Sequence, residues 1–189
     1  MEAVAPRMNV VSFAGYSGAG KTTLVERLIP VLKLQGQRVS VVKHAHHKFD
    51  IDHAGKDTFR HREAGAFEVV VASDRRLALI REFEQQPTVL SVHALLAELD
   101  PGVDWVLVEG FKQSDLPKIE IWREPQPGEK PRPLRYPDDA CIVGIATDAP
   151  GRLPPDFSLP VFDVNDVDAI GAWLLAHATR FEYKVESHV

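Results

Sequence analysis

The sequence predicts a three-layer α/β fold with a mostly parallel sheet and an antiparallel edge hairpin. Short runs of apolar and β-branched residues, typical of strands buried on both faces, recur along the chain. They lie at residues 10–14, 38–43, 105–110, 118–122, 141–146 and 160–163. Segments with helical spacing of apolar residues, such as 22–34 and 167–177, separate several of these runs. Two further runs, 67–72 and 77–81, are joined by a short polar turn, which favours antiparallel pairing.

Composition and net charge limit the number of domains, the partners and the cellular location that this sequence allows. The chain has 189 residues, which predicts one domain over residues 1–189 with a core at about 9–177. A formal net charge of -5 argues against a nucleic-acid partner or an anionic membrane surface. Cys141 is the single cysteine, which excludes an internal disulfide and a cysteine-based zinc cluster. With no apolar segment long enough to span a bilayer, we expect a soluble protein in a reducing cytoplasm.

A phosphate-binding motif follows the first predicted strand. Residues 15–22 read Gly-Tyr-Ser-Gly-Ala-Gly-Lys-Thr, a complete Gly-x-x-x-x-Gly-Lys-Thr loop. Its glycines allow a tight turn whose N–H groups point at phosphates, and the following helix adds its positive end. Lys21 is expected to reach the terminal phosphates, and the Thr22 hydroxyl to bind a magnesium ion. The motif therefore predicts nucleotide binding.

A second acidic element is expected beside this loop. The strand Trp-Val-Leu-Val-Glu-Gly at residues 105–110 has four apolar residues followed by an acid, the form of a Walker B strand. Glu109 is therefore predicted to lie near the magnesium ion or to position the attacking water.

The most polar segment, residues 43–65, leaves the carboxyl end of the second strand, the edge where parallel sheets bind ligands. Three interpretations stay open: a solvated loop and helix, a metal site built from histidines and aspartates, and an anion site for a second phosphorylated ligand. The candidate residues for a second ligand are Lys43, His44, His46, His47, Asp50, Asp52, Lys56 and Arg60, with His53 and Arg62 nearby.

Asp148 is a candidate for reading the nucleotide base. It follows the buried strand at residues 141–146, and a carboxylate there could accept hydrogen bonds from guanine N1–H and N2–H₂, which adenine does not present together. The usual Asn-Lys-x-Asp guanine motif is missing, and Asp is also common where a strand meets a Pro-Gly turn. Both interpretations stay open at this point.

Prolines predict two irregularities. Pro30 interrupts the first helical pattern, where a kink or an early end is expected. Five prolines between Glu124 and Asp138 prevent regular structure there, so this segment is predicted to be a surface loop or an arm that lies across a partner.

Four sequence segments together resemble the molybdopterin-guanine dinucleotide biosynthesis protein B family (MobB). They are Gly-Tyr-Ser-Gly-Ala-Gly-Lys-Thr-Thr, Lys-His-Ala-His-His-Lys-Phe-Asp-Ile-Asp-His-Ala-Gly-Lys-Asp-Thr, Val-Glu-Gly-Phe-Lys and Ala-Thr-Asp. The phosphate loop is shared by a very large superfamily, whereas the histidine-rich segment and Glu-Gly-Phe-Lys are specific to this family. The resemblance covers about residues 9 to 177.

The resemblance implies a P-loop NTPase that binds GTP and Mg²⁺, forms a homodimer and hydrolyses GTP slowly. Such proteins assist the partner guanylyltransferase that joins GMP to molybdopterin, and molybdopterin itself is a possible bound ligand. The residues implied for nucleotide and magnesium are Gly15, Ser17, Gly18, Ala19, Gly20, Lys21, Thr22 and Thr23, with Glu109 near the metal and Asp148 at the guanine.

Two other functions are compatible with the residues. A small-molecule kinase would use the same loop to phosphorylate an acceptor held by the basic and histidine residues. A nucleotide-dependent metallochaperone would bind nickel or zinc through the histidines and lose the metal as they protonate.

Overall fold

The computed structural model describes residues 7–45, 51–83 and 90–185. These residues form two compact units, one made of described residues within 1–44 and 92–189 and the other of described residues within 45–91. The expectation of a single domain over residues 1–189 stays a prediction.

The larger unit contains a seven-stranded sheet. Its strands are β1 (Arg7–Gly15), β2 (Val39–Lys43), β5 (Trp105–Glu109), β6 (Lys118–Trp122), β7 (Ile142–Thr147), β8 (Val161–Asp163) and β9 (Glu182–Lys184). The order is β2-β5-β1-β6-β7-β8, all parallel, and β9 pairs antiparallel with β1. Strand β1 therefore lies inside the sheet, between β5 and β6. This confirms the predicted α/β class with a mostly parallel sheet.

Helices cover both faces of this sheet. Alternate residues of β1 and β5 point to opposite faces, as strand geometry requires. Phe13 and Leu107 pack in one core cluster with α1 (Lys21–Leu34) and α4 (Val167–Ala176), while Val10 and Val106 pack in another with α3 (Val92–Ala97). The three layers follow from this alternation of strand residues buried on both sides.

The first helix continues through its proline. Pro30 lies inside α1 on the exposed side, and the helix ends only at Leu34, so the early end that Pro30 suggested does not occur. Leu28 and Leu32 are fully buried on either side of Pro30, and their burial offsets the lost backbone hydrogen bond. Within the described ranges, no helix is both long and apolar enough to span a bilayer.

The smaller unit contains α2 (Asp57–Glu63) and a hairpin of β3 (Glu68–Ala72) and β4 (Leu77–Arg81). The antiparallel hairpin is confirmed, with Val70 opposite Leu79. Its expected position at the edge of the main sheet is wrong, because β3 and β4 form a two-stranded sheet of their own. A short turn predicts that two strands pair with each other, but it carries no information about which sheet the pair joins.

Candidate functional site

The phosphate loop leaves the carboxyl end of β1 and leads directly into α1. Gly15, Gly18 and Gly20 all have positive φ angles, of 153°, 76° and 95°. Gly15 is also in close contact with β6: a Cβ at this position would lie 2.4 Å from the backbone oxygen of Ile121. The sequence of glycines thus produces the tight turn that opens backbone N–H groups toward a phosphate.

Lys21 folds over the loop that precedes it. Its Nζ donates hydrogen bonds to the carbonyl oxygens of Tyr16 at 2.8 Å and Gly15 at 3.1 Å. Burial lowers the pKa of the Lys21 ammonium, the charge of Glu109 opposes this shift, and the charges of Arg135, Lys43 and Lys112 lower the pKa further. An excess of positive charge around Lys21 is the electrostatic condition that phosphate binding requires.

Thr22 and Glu109, which the two motifs place near a magnesium ion, are in direct contact. Strand β5 is hydrogen-bonded to β1 with Phe13 opposite Glu109, which places the end of β5 beside the phosphate loop. The Thr22 hydroxyl donates to Glu109 Oε1 at 2.7 Å, and Glu109 is only 8% exposed. A hydroxyl beside a carboxylate fits a magnesium ion, which prefers oxygen ligands.

Lys43 belongs to this contact as well. Its Nζ lies 3.3 Å from Glu109 Oε2 and 3.4 Å from Thr22 Oγ1. The register of β2 on β5, with Lys43 opposite Glu109, explains the contact. Lys43 was selected from the sequence as a second-ligand candidate, and the structure places its Nζ beside Thr22 and Glu109 at the phosphate loop.

Asp148 follows β7, two strands from β1 on the side opposite β5. Its carboxylate forms an ion pair with the guanidinium of Arg123, whose Nε donates to the carbonyl of Ala19 in the phosphate loop at 3.1 Å. A cavity of about 280 Å³ lies against Asp148. It is lined by Thr147, Asp148, Pro150, Val161, Phe162, Asp163 and Asn165. Arg123 therefore connects the phosphate loop to the acid at this cavity.

The remaining second-ligand candidates lie in different parts of the chain. His46, His47 and Asp50 lie outside the described residues. The centre of the His44 ring lies 4.9 Å from that of Phe111, with the two ring planes tilted by 53°, and Phe111 has a positive φ of 46°. In the smaller unit, Asp52 accepts a hydrogen bond from Thr58, Arg60 pairs with Asp57, and Lys56 precedes α2. Among the residues that the structure describes, no group of three histidines, cysteines or acids is placed to hold a metal ion.

Several residues near the loop escaped the sequence analysis. Arg123 directly follows β6, the strand beside β1, and its position at a carboxyl strand end is the signal that could have identified it. Lys118 and Glu120 are fully buried within β6. Their alternation with isoleucines predicted a strand but gave no sign that the polar face would also be covered.

In P-loop nucleotide-binding proteins, a strand that ends in an acidic residue lies beside the strand that leads into the phosphate loop. Both strands belong to a parallel sheet with helices on its two faces. The chain has the fold of that class. The model of one family, described as molybdopterin guanine dinucleotide synthesis protein B (MobB), matches residues 10–148. The chain therefore belongs to the MobB family.

Curated relatives and solved structures agree with this assignment. The chain is 36% identical to a molybdopterin-guanine dinucleotide biosynthesis adapter protein of Escherichia coli, over 88% of this chain and 91% of the relative. A protein of the same name from Haemophilus influenzae is 39% identical, with 87% and 89% covered. The crystal structure of a MobB homolog from Bacillus stearothermophilus aligns with a TM-score of 0.64 at 27% identity, covering 91% of this chain and 99% of that one.

Proposed function

We propose that this chain is a GTP-binding adapter in the biosynthesis of molybdopterin guanine dinucleotide. It binds GTP and Mg²⁺ and assists the guanylyltransferase that attaches GMP to molybdopterin. The relatives from E. coli and H. influenzae carry the name of such an adapter, which supports this role. The observation that carries the nucleotide part is the 2.7 Å contact between Thr22 Oγ1 and Glu109 Oε1 at the mouth of the phosphate loop.

In the proposed complex, backbone N–H groups of residues 15–20 and the Lys21 ammonium bind the phosphates. Lys21 would exchange its two carbonyl partners in the loop for phosphate oxygens, while Thr22 and Glu109 hold the magnesium ion directly or through water. Ser17, Ala19 and Thr23 lie in the same loop and helix start and belong to the proposed site. A magnesium ion supplies charge neutralisation for phosphoryl transfer.

Guanine is proposed to occupy the cavity beside Asp148. The carboxylate has four lone-pair positions, so it can accept from guanine N1–H and N2–H₂ while one oxygen stays paired with Arg123. Phe162 in the cavity wall offers an aromatic surface for the base.

Hydrolysis of GTP is proposed to be slow in the isolated protein. Fast turnover needs a fixed group that aligns the attacking water or an added arginine, and adapters can obtain such a group from a partner or a second protomer. A cytoplasmic location is a further part of the proposal.

A homodimer is also proposed, and the hairpin of the smaller unit supports it. Leu77, Leu79 and Val70 are 68%, 46% and 57% exposed. The pairing of Val70 with Leu79 places these three side chains on one face of the hairpin, because residues two apart in a strand point the same way. An apolar face of this kind is typical of a protein interface. Sedimentation of a Leu79→Lys variant as a monomer would support the dimer, and a monomeric wild-type chain would contradict it.

Lys21→Ala tests the nucleotide proposal. We expect no detectable GTP binding by calorimetry, because the phosphates lose their main point charge. Lys33→Ala, on the exposed end of the same helix, is the matched control and should bind GTP as the wild type does. Unchanged GTP affinity in Lys21→Ala, with the fold intact by circular dichroism, would contradict the proposal.

We also propose that the second-ligand candidates, among them Lys56 and Arg60, contact molybdopterin. No observation favours the kinase or the metallochaperone over the adapter.

A further inference from the structure

Two neighbouring strands of the main sheet are followed by residues of opposite charge. Strand β6 pairs in parallel with β7, and the register places Trp122 opposite Thr147, the last residue of each strand. Arg123 and Asp148 directly follow these two residues, so they leave the carboxyl edge of the sheet side by side. A parallel sheet binds its ligands at this edge. The guanidinium of Arg123 forms an ion pair with the Asp148 carboxylate as a result of this register.

The same guanidinium also contacts the phosphate loop. Its Nε donates to the carbonyl of Ala19 at 3.1 Å, while its Nη1 donates to Asp148. The group lies against Gly20 as well, because a Cβ on Gly20 would be 3.6 Å from Nε and 3.7 Å from Nη2. A guanidinium presents its N–H donors in a rigid planar fork, so the position of one contact fixes the position of the other. One planar group therefore holds both the phosphate loop and the acid at the cavity.

The cavity beside Asp148 is connected to the phosphate-binding elements at a second point. Asn165 lines this cavity, and its backbone carbonyl accepts a hydrogen bond of 2.9 Å from Nη2 of Arg27. Arg27 belongs to α1, the helix that begins at the phosphate loop. This contact links the cavity wall to the helix, whereas the contacts of Arg123 orient groups that would touch the nucleotide itself.

The phosphate loop has a further anchor on another side. The Tyr16 hydroxyl donates to the carbonyl of Pro133, in the proline-rich segment after β6, at 3.1 Å. Arg123 and Tyr16 both fasten the loop, and of these two side chains it is Arg123 that also pairs with Asp148. The two anchors can therefore be compared to separate an effect on the loop from an effect on the base.

We infer that Arg123 is a positioning residue that couples base reading by Asp148 to phosphate binding by the loop. It holds the Ala19 carbonyl, so that neighbouring backbone N–H groups stay turned toward the phosphates. It also orients the Asp148 carboxylate, whose remaining lone pairs then face the cavity. The inference deepens the proposed function and rests on it for the guanine nucleotide as ligand.

Calorimetric titrations with GTP, ATP and tripolyphosphate, each with Mg²⁺, separate the two effects. Tripolyphosphate has no base, so its affinity reports on the phosphate loop, whereas the ratio of GTP to ATP affinity reports on base reading. In Arg123→Gln we expect tripolyphosphate to bind about fivefold more weakly, the effect of one lost hydrogen bond. The preference for GTP over ATP should fall about tenfold, because two guanine contacts depend on the orientation of one carboxylate.

Two control variants test neighbouring contacts. Tyr16→Phe removes the other anchor of the loop and should leave the preference for GTP over ATP unchanged. Arg152→Gln breaks the ion pair of Arg152 with Glu124, in which Nε lies 3.0 Å from Oε1. That pair joins the same two strand ends, so Arg152→Gln should change neither the tripolyphosphate affinity nor the GTP preference.

A double variant shows whether the two effects of Arg123 are separate. Asp148→Ala should lose the preference for GTP and retain tripolyphosphate binding. When Arg123→Gln is added to Asp148→Ala, tripolyphosphate affinity should still fall, but the GTP preference should not fall further. A purely structural role of Arg123 would instead lower the affinity for all ligands together and leave their ratio unchanged.

Three results would overturn the inference. They are tripolyphosphate affinity in Arg123→Gln equal to that of the wild type, an unchanged ratio of GTP to ATP affinity, and a higher ratio. A higher ratio would mean that Arg123 competes with guanine for the Asp148 carboxylate. The Arg123 side chain is 33% exposed, so the variant should fold, and thermal unfolding verifies this. The wild-type titrations test the proposed function separately, because equal wild-type affinity for GTP and ATP contradicts guanine reading whatever Arg123→Gln does.

Discussion

Gly15→Ala is the sharpest structural test of the phosphate loop. Gly15 has a φ of 153°, and an added Cβ would lie 2.4 Å from the backbone oxygen of Ile121. This oxygen belongs to β6, whose Ile121 is the register partner of Gly15, so it cannot move without disturbing the pairing of β1 and β6. The clash is therefore with fixed backbone and not with a flexible side chain.

The cost can be worked out from two contributions. Overpacking against a rigid neighbour costs about 1–3 kcal/mol, and a φ angle that side chains rarely adopt costs about 1–3 kcal/mol. We expect a loss of about 4 kcal/mol in the free energy of unfolding, which lowers Tm by about 8–16 °C for a chain of this size. GTP binding should weaken in parallel because the loop cannot close.

Gly18→Ala is the matched control in the same loop. Gly18 also has a positive φ, of 76°, but no heavy atom lies within 4 Å of an added Cβ. Only the conformational cost of about 1–2 kcal/mol applies, so Tm should fall by about 2–8 °C. Thermal unfolding by circular dichroism and calorimetry with GTP measure both variants. A Gly15→Ala variant that is as stable as Gly18→Ala would refute the argument from the Ile121 contact.

Three further predictions concern charge. Asp148→Asn should weaken GTP binding by about ten- to a hundredfold. The variant should favour xanthosine triphosphate, because an amide can donate to the xanthine O2. Unchanged GTP preference in competition binding would exclude base reading by Asp148. Glu109→Gln keeps the Thr22 contact and removes the negative charge of Glu109. The Mg²⁺ concentration that gives half-maximal GTP hydrolysis should therefore rise about tenfold. An unchanged Mg²⁺ titration would show that Glu109 does not belong to the metal site. Burial raises the pKa of Glu120 above its usual 4.5, so the folded state binds the proton more tightly than the unfolded state does. The free energy of unfolding should therefore fall as the pH rises above 4.5. Glu120→Gln should flatten that slope in urea unfolding series between pH 4.5 and 7, and an equal slope would show that the carboxyl is not its source.

The main sheet was predictable because its signals are local. Apolar runs identify β1, β5 and β7, and the phosphate loop with its strand and helix fixes where the nucleotide would lie. The two motifs place Thr22 and Glu109 near one magnesium ion, and the pairing of β1 with β5 brings their side chains into contact. These inferences need only the periodicity of the chain and the chemistry of two short motifs.

The features that escaped prediction depend on pairing between distant segments. The contact of Lys43 with Glu109 follows from the register of β2 on β5, which no short window of sequence encodes. The attachment of the proline-rich segment depends on hydrogen bonds to the Glu120 carboxylate from backbone N–H groups fifteen or more residues away. A segment without regular structure reveals from sequence only that it is irregular, so its attachment to the phosphate-loop side could not be anticipated.

Selective binding of guanine nucleotide is the central claim, and calorimetric titration tests it most directly. The purified protein is titrated with GTP and with ATP in the presence of Mg²⁺, and both titrations are repeated with Asp148→Ala. We predict that GTP binds much more tightly than ATP and that the variant loses this preference while keeping its fold. Equal affinity of the wild type for the two nucleotides would contradict the claim and leave Asp148 as a partner of Arg123 alone.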